Sequence, residues 1–239
     1  MKNILIPSTL QKDAVTSVRA AIKQAADTNC IITLMMVNEA PDAESASFLL
    51  RTTRTSPTAL QSQVLEDCRA EISNTDNCRL EVHNRYGLSA PLLKNLLEHL
   101  GTNLIIIPPS YKEERDSIHH YCLSLLANSK IAMLHLTEDY EEQEFNKALY
   151  LESEKAQLGL QELQQLVGRE FNFKIVSHAC ICAPYPDALG TQLTEAISKN
   201  NIDLLIETRK PEKIRTKKRK QVTVNETLGL PLLSIFEGA

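Results

Sequence analysis

Glycine is scarce in this chain, which has seven glycines among 239 residues. Proteins average about 7% glycine, so loops that need several closely spaced glycines have little material here. The sequence also lacks any apolar run near the roughly 20 residues that a membrane-spanning helix requires. Its 43% hydrophobic and 23% charged residues are typical of an ordinary globular protein. We therefore expect a soluble protein with no membrane association.

Cysteine is sparse as well, with six in the whole chain (Cys30, Cys68, Cys78, Cys122, Cys180 and Cys182). A reducing compartment would keep them as thiols, so we expect no disulfides. The N-terminal residues run directly from Met1 into a periodic pattern, without the apolar stretch and small-residue cleavage site of a secretory signal. This favours a cytoplasmic location.

The net charge of −4 gives no global attraction to nucleic acid. One local segment is basic: residues 209–220 hold eight basic side chains and one acidic one. This segment could bind an anion, a nucleic acid or an acidic partner surface, or it could be a solvated loop. We favour the solvated loop, because the segment contains no aromatic residue on which bases could stack. We expect no nucleic-acid partner.

Apolar strands alternate with amphipathic helices through the first part of the chain. Asp13 is predicted to cap the first helix, Ser56 with Pro57 the second, and Ser89 with Pro91 the third, which ends at Gly101. A charged loop and a short helix near His120 follow. The five predicted strands are Asn3–Pro7, Ile31–Val37, Leu80–Tyr86, Leu104–Ile107 and Ile131–Leu136. This alternation indicates a parallel sheet that is covered on both faces.

An acidic stretch without hydrophobic periodicity follows, and we place a domain boundary there, between residues 1–138 and 139–239. The order of elements then restarts, with helices predicted to begin at Ser153 and Asp187. The second domain is smaller and lacks one strand and one helix. Its predicted strands are Ala148–Leu151, Phe173–Ile181, Ile202–Ile206 and Leu230–Phe236.

Residues 3–37 resemble the opening of the universal stress protein family, on the segments Asn3–Pro7 and Ile32–Val37. Tyr86 with Gly87, followed by a helix and the segment 102–107, resembles that family's second half, and residues 201–206 repeat the segment in the second domain. The resemblance implies an α/β fold of two tandem parallel-sheet units of the universal stress protein, or adenine nucleotide alpha hydrolase-like, type. It also implies that the final strands of the two units meet as a pseudo-dimer.

In nucleotide-binding members of that family, an aspartate after the first strand and a glycine-rich loop after the fourth hold ATP. Here Thr9 stands at or beside the aspartate position, and Pro108 and Tyr111 replace the first two glycines. In the second unit Thr208 and Pro211 stand at the matching positions. Backbone amides reach phosphates only where no Cβ intervenes, and proline has no amide hydrogen. We therefore expect no family-type ATP binding and no cofactor.

Two cysteine- and histidine-containing segments offer soft metal ligands, of which His178-x-Cys180-x-Cys182 could project three onto one strand face. Because cysteine in a strand commonly acts as a small buried apolar residue, we expect burial here and no metal site. No nucleophile elbow, metalloprotease motif or kinase motif occurs, so we expect no enzyme and assign no catalytic residue. Ser110, Tyr111 and His120 could line a crevice after the fourth strand, or be simple loop and helix-start residues.

Our leading hypothesis is a non-catalytic stress-response or regulatory protein that acts through protein contacts, with homodimerisation as a further expectation. The alternative is a sensor that binds a nucleotide or another anion through the basic segment. The candidate residues for such an anion are Thr9, Ser110, Lys213, Arg215, Lys217, Lys218 and Arg219.

Overall fold

A computed structural model describes residues 1–26, 28–40, 57–138, 140, 145–153, 156, 158–181, 187–210 and 227–238. The chain divides into two compact units, Met1–Ala127 and Asn128–Ala239. The division falls before the predicted boundary at residue 138, so the strand that we expected to end the first domain lies in the second unit. The domain ranges themselves stay a prediction. None of the helices formed by the described residues combines the length and apolar character needed to cross a bilayer.

The first unit contains a parallel sheet, as the alternating pattern predicts. Its strands are β1 (Lys2–Pro7), β2 (Cys30–Asn38), β3 (Cys78–Tyr86) and β4 (Leu104–Ile107). β1 pairs in parallel with both β2 and β4, and β2 pairs in parallel with β3. The strand order is therefore β3-β2-β1-β4. All four residues of β4 are buried, so both faces of the sheet are covered at this strand.

The described residues of this unit form five helices: α1 (Asp13–Ala25), α2 (Ala59–Ser73), α3 (Ala90–Leu100), α4 (Pro109–Glu113) and α5 (Ser117–Ala127). The predicted start of α3 is confirmed, because the Ser89 side chain accepts a hydrogen bond from the Leu92 amide. Gly101 ends that helix at a left-handed φ of 58°, where a Cβ would lie 3.1 Å from Asn3 Nδ2. Both the conformation and the space favour glycine at this position.

Two other predicted helix starts differ in the structure. Lys12 precedes α1, and Asp13 is its first helical residue and makes no capping bond. Thr58 caps α2 through a reciprocal pair of bonds with Gln61, whereas Ser56 lies outside the described residues. In addition, α4 occupies part of the segment that we predicted as a charged loop.

The second unit has a mixed sheet that is mostly parallel. Its strands are β5 (Ala132–His135), β6 (Lys147–Ser153), β7 (Lys174–Ile181), β8 (Leu204–Arg209) and β9 (Leu232–Phe236). β6 pairs in parallel with β7 and β8, and β8 pairs in parallel with β9. β5 runs antiparallel to β9, with Leu134 opposite Leu233. The strand order is β5-β9-β8-β6-β7, which leaves β7 at an edge.

Two helices of the second unit are described, α6 (Leu160–Glu170) and α7 (Asp187–Asn200). We predicted that Ser153 caps α6, and this prediction is wrong. Ser153 is the last residue of β6, and α6 begins after Gly159. One face of β6 is apolar and packs against α7, where Leu149 and Leu151 form a core cluster with Leu193. The α/β class with mostly parallel strands is thus confirmed in both units.

Candidate functional site

Each unit contains one pair of neighbouring strands whose crossover connections run in opposite directions across the sheet. In the first unit the pair is β1 and β4, and in the second it is β6 and β8. Open parallel sheets bind ligands outside the carboxyl ends of such strands, because the connections diverge there and leave a crevice. The residues that follow β1, β4, β6 and β8 are therefore the first candidates for a site.

The loop after β1 is held tightly. Leu10 is 1% exposed and has a φ of 57°, a left-handed conformation that is unusual for a branched residue. Its amide donates to Ser8 Oγ at 2.9 Å, and Ser8 is itself buried. The backbone carbonyl of Thr9 accepts from Gln61 Nε2 at 3.3 Å. Thr9 Oγ1 is buried and has no hydrogen-bond partner among the described residues.

The most informative contact of this region joins Asp13 to Ser110. The Asp13 carboxylate accepts from the Ser110 backbone amide at 2.8 Å and from Ser110 Oγ at 2.7 Å. Ser110 is the second residue of α4, directly after β4, where the free amides of a helix start attract anions. The chain therefore places its own carboxylate on the amide that would otherwise face a bound anion.

The backbone around that contact is poor in further donors. Pro108 and Pro109 are consecutive and have no amide hydrogen. Tyr111 is fully buried, and its hydroxyl lies 3.2 Å from His119 Nδ1. Burial raises the pKa of Tyr111, and the neighbouring Cys122 raises it further. Tyr111 is therefore a neutral core residue.

Ser110, Tyr111 and His120, which could line this crevice or be simple loop and helix-start residues, lie in three different environments. Ser110 lies at the crevice and is bonded to Asp13. Tyr111 is in the core, and His120 is exposed on α5 while its neighbour His119 is buried. The polar groups at this edge of the first unit are consequently those of Ser8, Thr9, Asp13 and Ser110.

The corresponding edge of the second unit carries a different set of polar groups. Thr208 Oγ1, near the end of β8, donates to Glu237 Oε1 at 2.7 Å. Glu237 Oε2 lies 3.3 Å from Lys210 Nζ, although the carboxylate side chain is only 2% exposed. Tyr150, in the middle of β6, is fully buried, and its hydroxyl interacts with the Thr208 side chain. This edge therefore contains a buried hydroxyl beside a buried carboxylate.

Arg209, the first residue of the basic segment, is part of the packed structure. Its guanidinium donates to the backbone carbonyls of Ser129, Ile131 and Ser234 and lies 5.7 Å from the centre of the Phe236 ring. Burial lowers the pKa of Arg209 to about 10, which leaves it protonated at neutral pH. Arg209 therefore links the segment before β5 to β9, and its charge is already used inside the second unit.

The prediction that His178 and Cys180 are buried is wrong. Both are exposed on β7, because β7 is an edge strand and the described residues leave this face of it uncovered. Glu152 of β6 stands opposite Cys180, and its Oε2 lies 3.8 Å from Cys180 Sγ and 3.9 Å from His178 Nε2. The third member of the sequence motif, Cys182, lies outside the described residues.

The remaining predicted anion-binding residues also lie outside the described residues: Lys213, Arg215, Lys217, Lys218 and Arg219. Their role stays a prediction. Sequence reasoning missed Asp13, Tyr150, Glu152 and Glu237. A carboxylate directly before an apolar helical stripe is typical of a helix cap, so no signal distinguished Asp13. Glu152 is 26 residues from His178 along the chain, and only the β6–β7 register brings the two together.

No protein-family model and no curated protein matches the chain. Solved structures do match it. A universal stress protein from Archaeoglobus fulgidus DSM 4304 is 10% identical, with a TM-score of 0.55 over 98% of this chain and 96% of that one. A functionally unknown protein from Pseudomonas aeruginosa PAO1 is also 10% identical, with a TM-score of 0.49 over 99% of this chain and 92% of that one.

A protein of the universal stress protein family from Burkholderia pseudomallei is 19% identical over 56% of this chain and 95% of that one, with a TM-score of 0.39. The likeness to the Archaeoglobus protein shows that this chain has the fold of a universal stress protein. At these identities the likeness concerns the fold, and the residues of each site must be judged on their own chemistry.

Proposed function

We propose that this chain is a non-catalytic, universal stress protein-like regulator that acts through protein contacts and does not bind ATP in the manner of that family. The observation that carries the proposal is the pair of hydrogen bonds from Ser110 to the Asp13 carboxylate. A phosphate at this edge would have to displace a carboxylate that is already bonded twice. It would also meet Pro108 and Pro109, which have no amide hydrogen to offer.

The case against catalysis is chemical. A carboxylate does lie beside a hydroxyl at the first crevice, Asp13 beside Ser110, but the same carboxylate is held by the Ser110 amide as well, and no third residue among those described orients the pair as in a catalytic triad. We propose that the preserved α/β scaffold serves as a surface for partners. We propose a cytoplasmic location, where a reducing environment keeps cysteines as thiols.

The tandem arrangement is part of the same proposal. A single chain of the Archaeoglobus protein matches nearly the whole of this one. β5 and β9, the two strands that we predicted to end the tandem domains, are paired in antiparallel fashion. This pairing supports a pseudo-dimer formed through final strands. We propose homodimerisation as a further possibility for the partner surface, to be measured by the mass of the particle in solution.

A thermal melt with magnesium-ATP tests the proposal directly. A ligand at a hundred times its Kd stabilises the native state by about 2.7 kcal/mol. For a protein of this size that corresponds to a rise in Tm of roughly 5 to 10 °C. We expect no shift with about 5 mM magnesium-ATP or magnesium-AMP, a concentration that detects a Kd of about 50 μM. A rise of several degrees would contradict the proposal.

The alternative, an anion sensor that uses the basic segment, is tested in the same assay with inorganic polyphosphate. A variant in which Lys217, Lys218 and Arg219 are serine is the matched control. A polyphosphate shift that disappears in this variant would favour the sensor. A shift that persists in it would place the anion elsewhere and leave the basic segment as a solvated loop.

A further inference from the structure

Three chemically different ligand groups converge on the exposed edge of the second unit. Cys180 and His178 lie two residues apart on β7, so their side chains share one face, and Glu152 reaches them from the register position opposite Cys180. The carboxylate oxygen, the imidazole nitrogen and the sulfur all lie within 4.8 Å of one another. This arrangement depends on the pairing of two strands, so the geometry of the backbone fixes it.

The separations are close to those of a tetrahedral metal site. Zinc binds sulfur at about 2.3 Å and nitrogen or oxygen at about 2.0 Å, which places neighbouring ligand atoms roughly 3.3 to 3.6 Å apart. Two of the observed separations are 3.8 and 3.9 Å. Small side-chain rotations close the difference, and the exposure of His178 and Cys180 leaves room for them.

The kind of ion follows from the donors. Magnesium and calcium prefer oxygen ligands alone, whereas a thiolate and an imidazole select zinc and other transition metals. We propose that Glu152, His178 and Cys180 form a zinc-binding site at the carboxyl ends of β6 and β7. On binding, the Cys180 sulfur exchanges its proton for the metal, and the proton passes to solvent without any change of oxidation state.

A buried hydroxyl lies beside the ligand cluster. Tyr150 is on the same face of β6 as Glu152, and its register partner on β7 is His178. The Tyr150 side chain is fully buried, and its hydroxyl interacts with the Thr208 side chain. The grouping of Glu152, His178 and Cys180 therefore carries the proposal alone.

Three protein ligands leave the fourth position of a tetrahedral ion open, where water or a partner's side chain binds. The site differs from a closed structural zinc site, which has four protein ligands. The bound ion would therefore be accessible from solvent at its fourth position. The zinc site goes beyond the proposed function, because it assigns a ligand to an edge that the nucleotide argument does not involve.

The test uses full-length protein without an affinity tag. Zinc is titrated against a chromophoric chelator, and cobalt is added separately as a spectroscopic probe. We expect one zinc per chain, together with a thiolate-to-cobalt charge-transfer band and the visible bands of tetrahedral cobalt. Cys180→Ser, His178→Gln and Glu152→Gln should each weaken zinc binding by at least about a hundredfold, since loss of a mere supporting hydrogen bond costs ten- to a hundredfold.

Cys78→Ser and His120→Gln are the matched controls, one a partly buried thiol and the other an exposed imidazole of the first unit. Both should bind zinc like the wild type. Far-ultraviolet circular dichroism checks that each variant is folded, and the cobalt spectrum of the wild type tests the site without any variant. Absence of zinc binding by the wild type would overturn the proposal. So would binding that survives Cys180→Ser but is lost in Cys182→Ser, because the ligand set would then be different.

Discussion

Replacing Asp13 by alanine is the sharpest perturbation of the first unit. The substitution removes a carboxylate that accepts from both the amide and the hydroxyl of Ser110. Alanine is an excellent helix former, so α1 itself should be undisturbed. The decrease in the free energy of unfolding therefore measures the loss of the contact between α1 and the start of α4. Asp76→Ala is the control, because Asp76 is exposed in a turn and its change should stay within about 0.5 kcal/mol.

The magnitude follows from the two bonds. Hydrogen bonds to charged groups contribute about 1.5 to 3 kcal/mol each, and partly buried ones lie at the lower end. Ser110 is partly exposed, so water can replace some of what is lost. We expect Asp13→Ala to lower the free energy of unfolding by about 2 to 3 kcal/mol and the Tm by roughly 5 to 10 °C. Ser110→Ala removes one bond and should cost about 1 kcal/mol.

A double-mutant cycle then separates the two bonds. The coupling between Asp13→Ala and Ser110→Ala isolates the hydroxyl bond, and the rest of the Asp13 effect belongs to the amide. The chain contains no tryptophan, so urea unfolding is followed by far-ultraviolet circular dichroism. Additive single effects would refute the hydroxyl bond. If Asp13→Ala lowers the free energy of unfolding by less than about 0.5 kcal/mol, the effect is that of an ordinary surface change. Such a result would refute the Asp13 carboxylate as the group that stabilises the contact between α1 and α4.

Two further predictions concern buried ionisable groups. Burial raises the pKa of Cys30 and Cys68 to about 12 and that of Cys122 to about 11, from an ordinary value of 9.0. The stability that the buried neutral thiols provide is therefore complete below the ordinary pKa and is lost as the pH rises towards the folded pKa. Between pH 8 and pH 10, each thiol should lower the free energy of unfolding by about 1.4 kcal/mol. Urea unfolding at both pH values should therefore show a drop that is smaller by about 1.4 kcal/mol in Cys68→Ala than in the wild type. An equal drop in the two proteins would contradict this prediction. Arg209→Lys should lower the free energy of unfolding by about 2 to 3 kcal/mol, because a single ammonium nitrogen cannot take the places of two guanidinium nitrogens that bond carbonyls in different segments. The exposed Arg79→Lys should change it by less than about 0.5 kcal/mol in the same assay.

Hydrophobic periodicity was enough to predict the strands of this fold. β4 was predicted with its observed bounds, and the other strands differ by one or two residues at most ends. Such runs are reliable because a strand buried on both faces has few alternatives. The helix starts were less predictable. Asp13 and Ser153 have the chemistry of caps, but a cap forms only if the chain turns at that residue, and tertiary contacts decide this.

The side chains of the sites were harder to predict than the fold. The sequence was enough to show which residues replace the family's glycines, as Pro108 does, because each replacement is identified by its place in the sequence after a predicted strand. It could not show that Asp13 bonds to Ser110, 97 residues away. The burial prediction for His178 and Cys180 was wrong for a related reason: alternation along a strand gives two faces, but only the strand order shows that β7 is an edge.

The two carboxyl edges have opposite balances of polar groups. In the first unit the anion acceptor site at Ser110 is already satisfied by Asp13, and the adjoining prolines remove further donors. In the second unit Thr208 and Glu237 satisfy one another, whereas the exposed edge brings the ligand atoms of Glu152, His178 and Cys180 within 4.8 Å of one another. A thiol and an imidazole favour a transition metal over an anion. We therefore expect the ligand chemistry of the second unit to be that of a metal and not that of a phosphate.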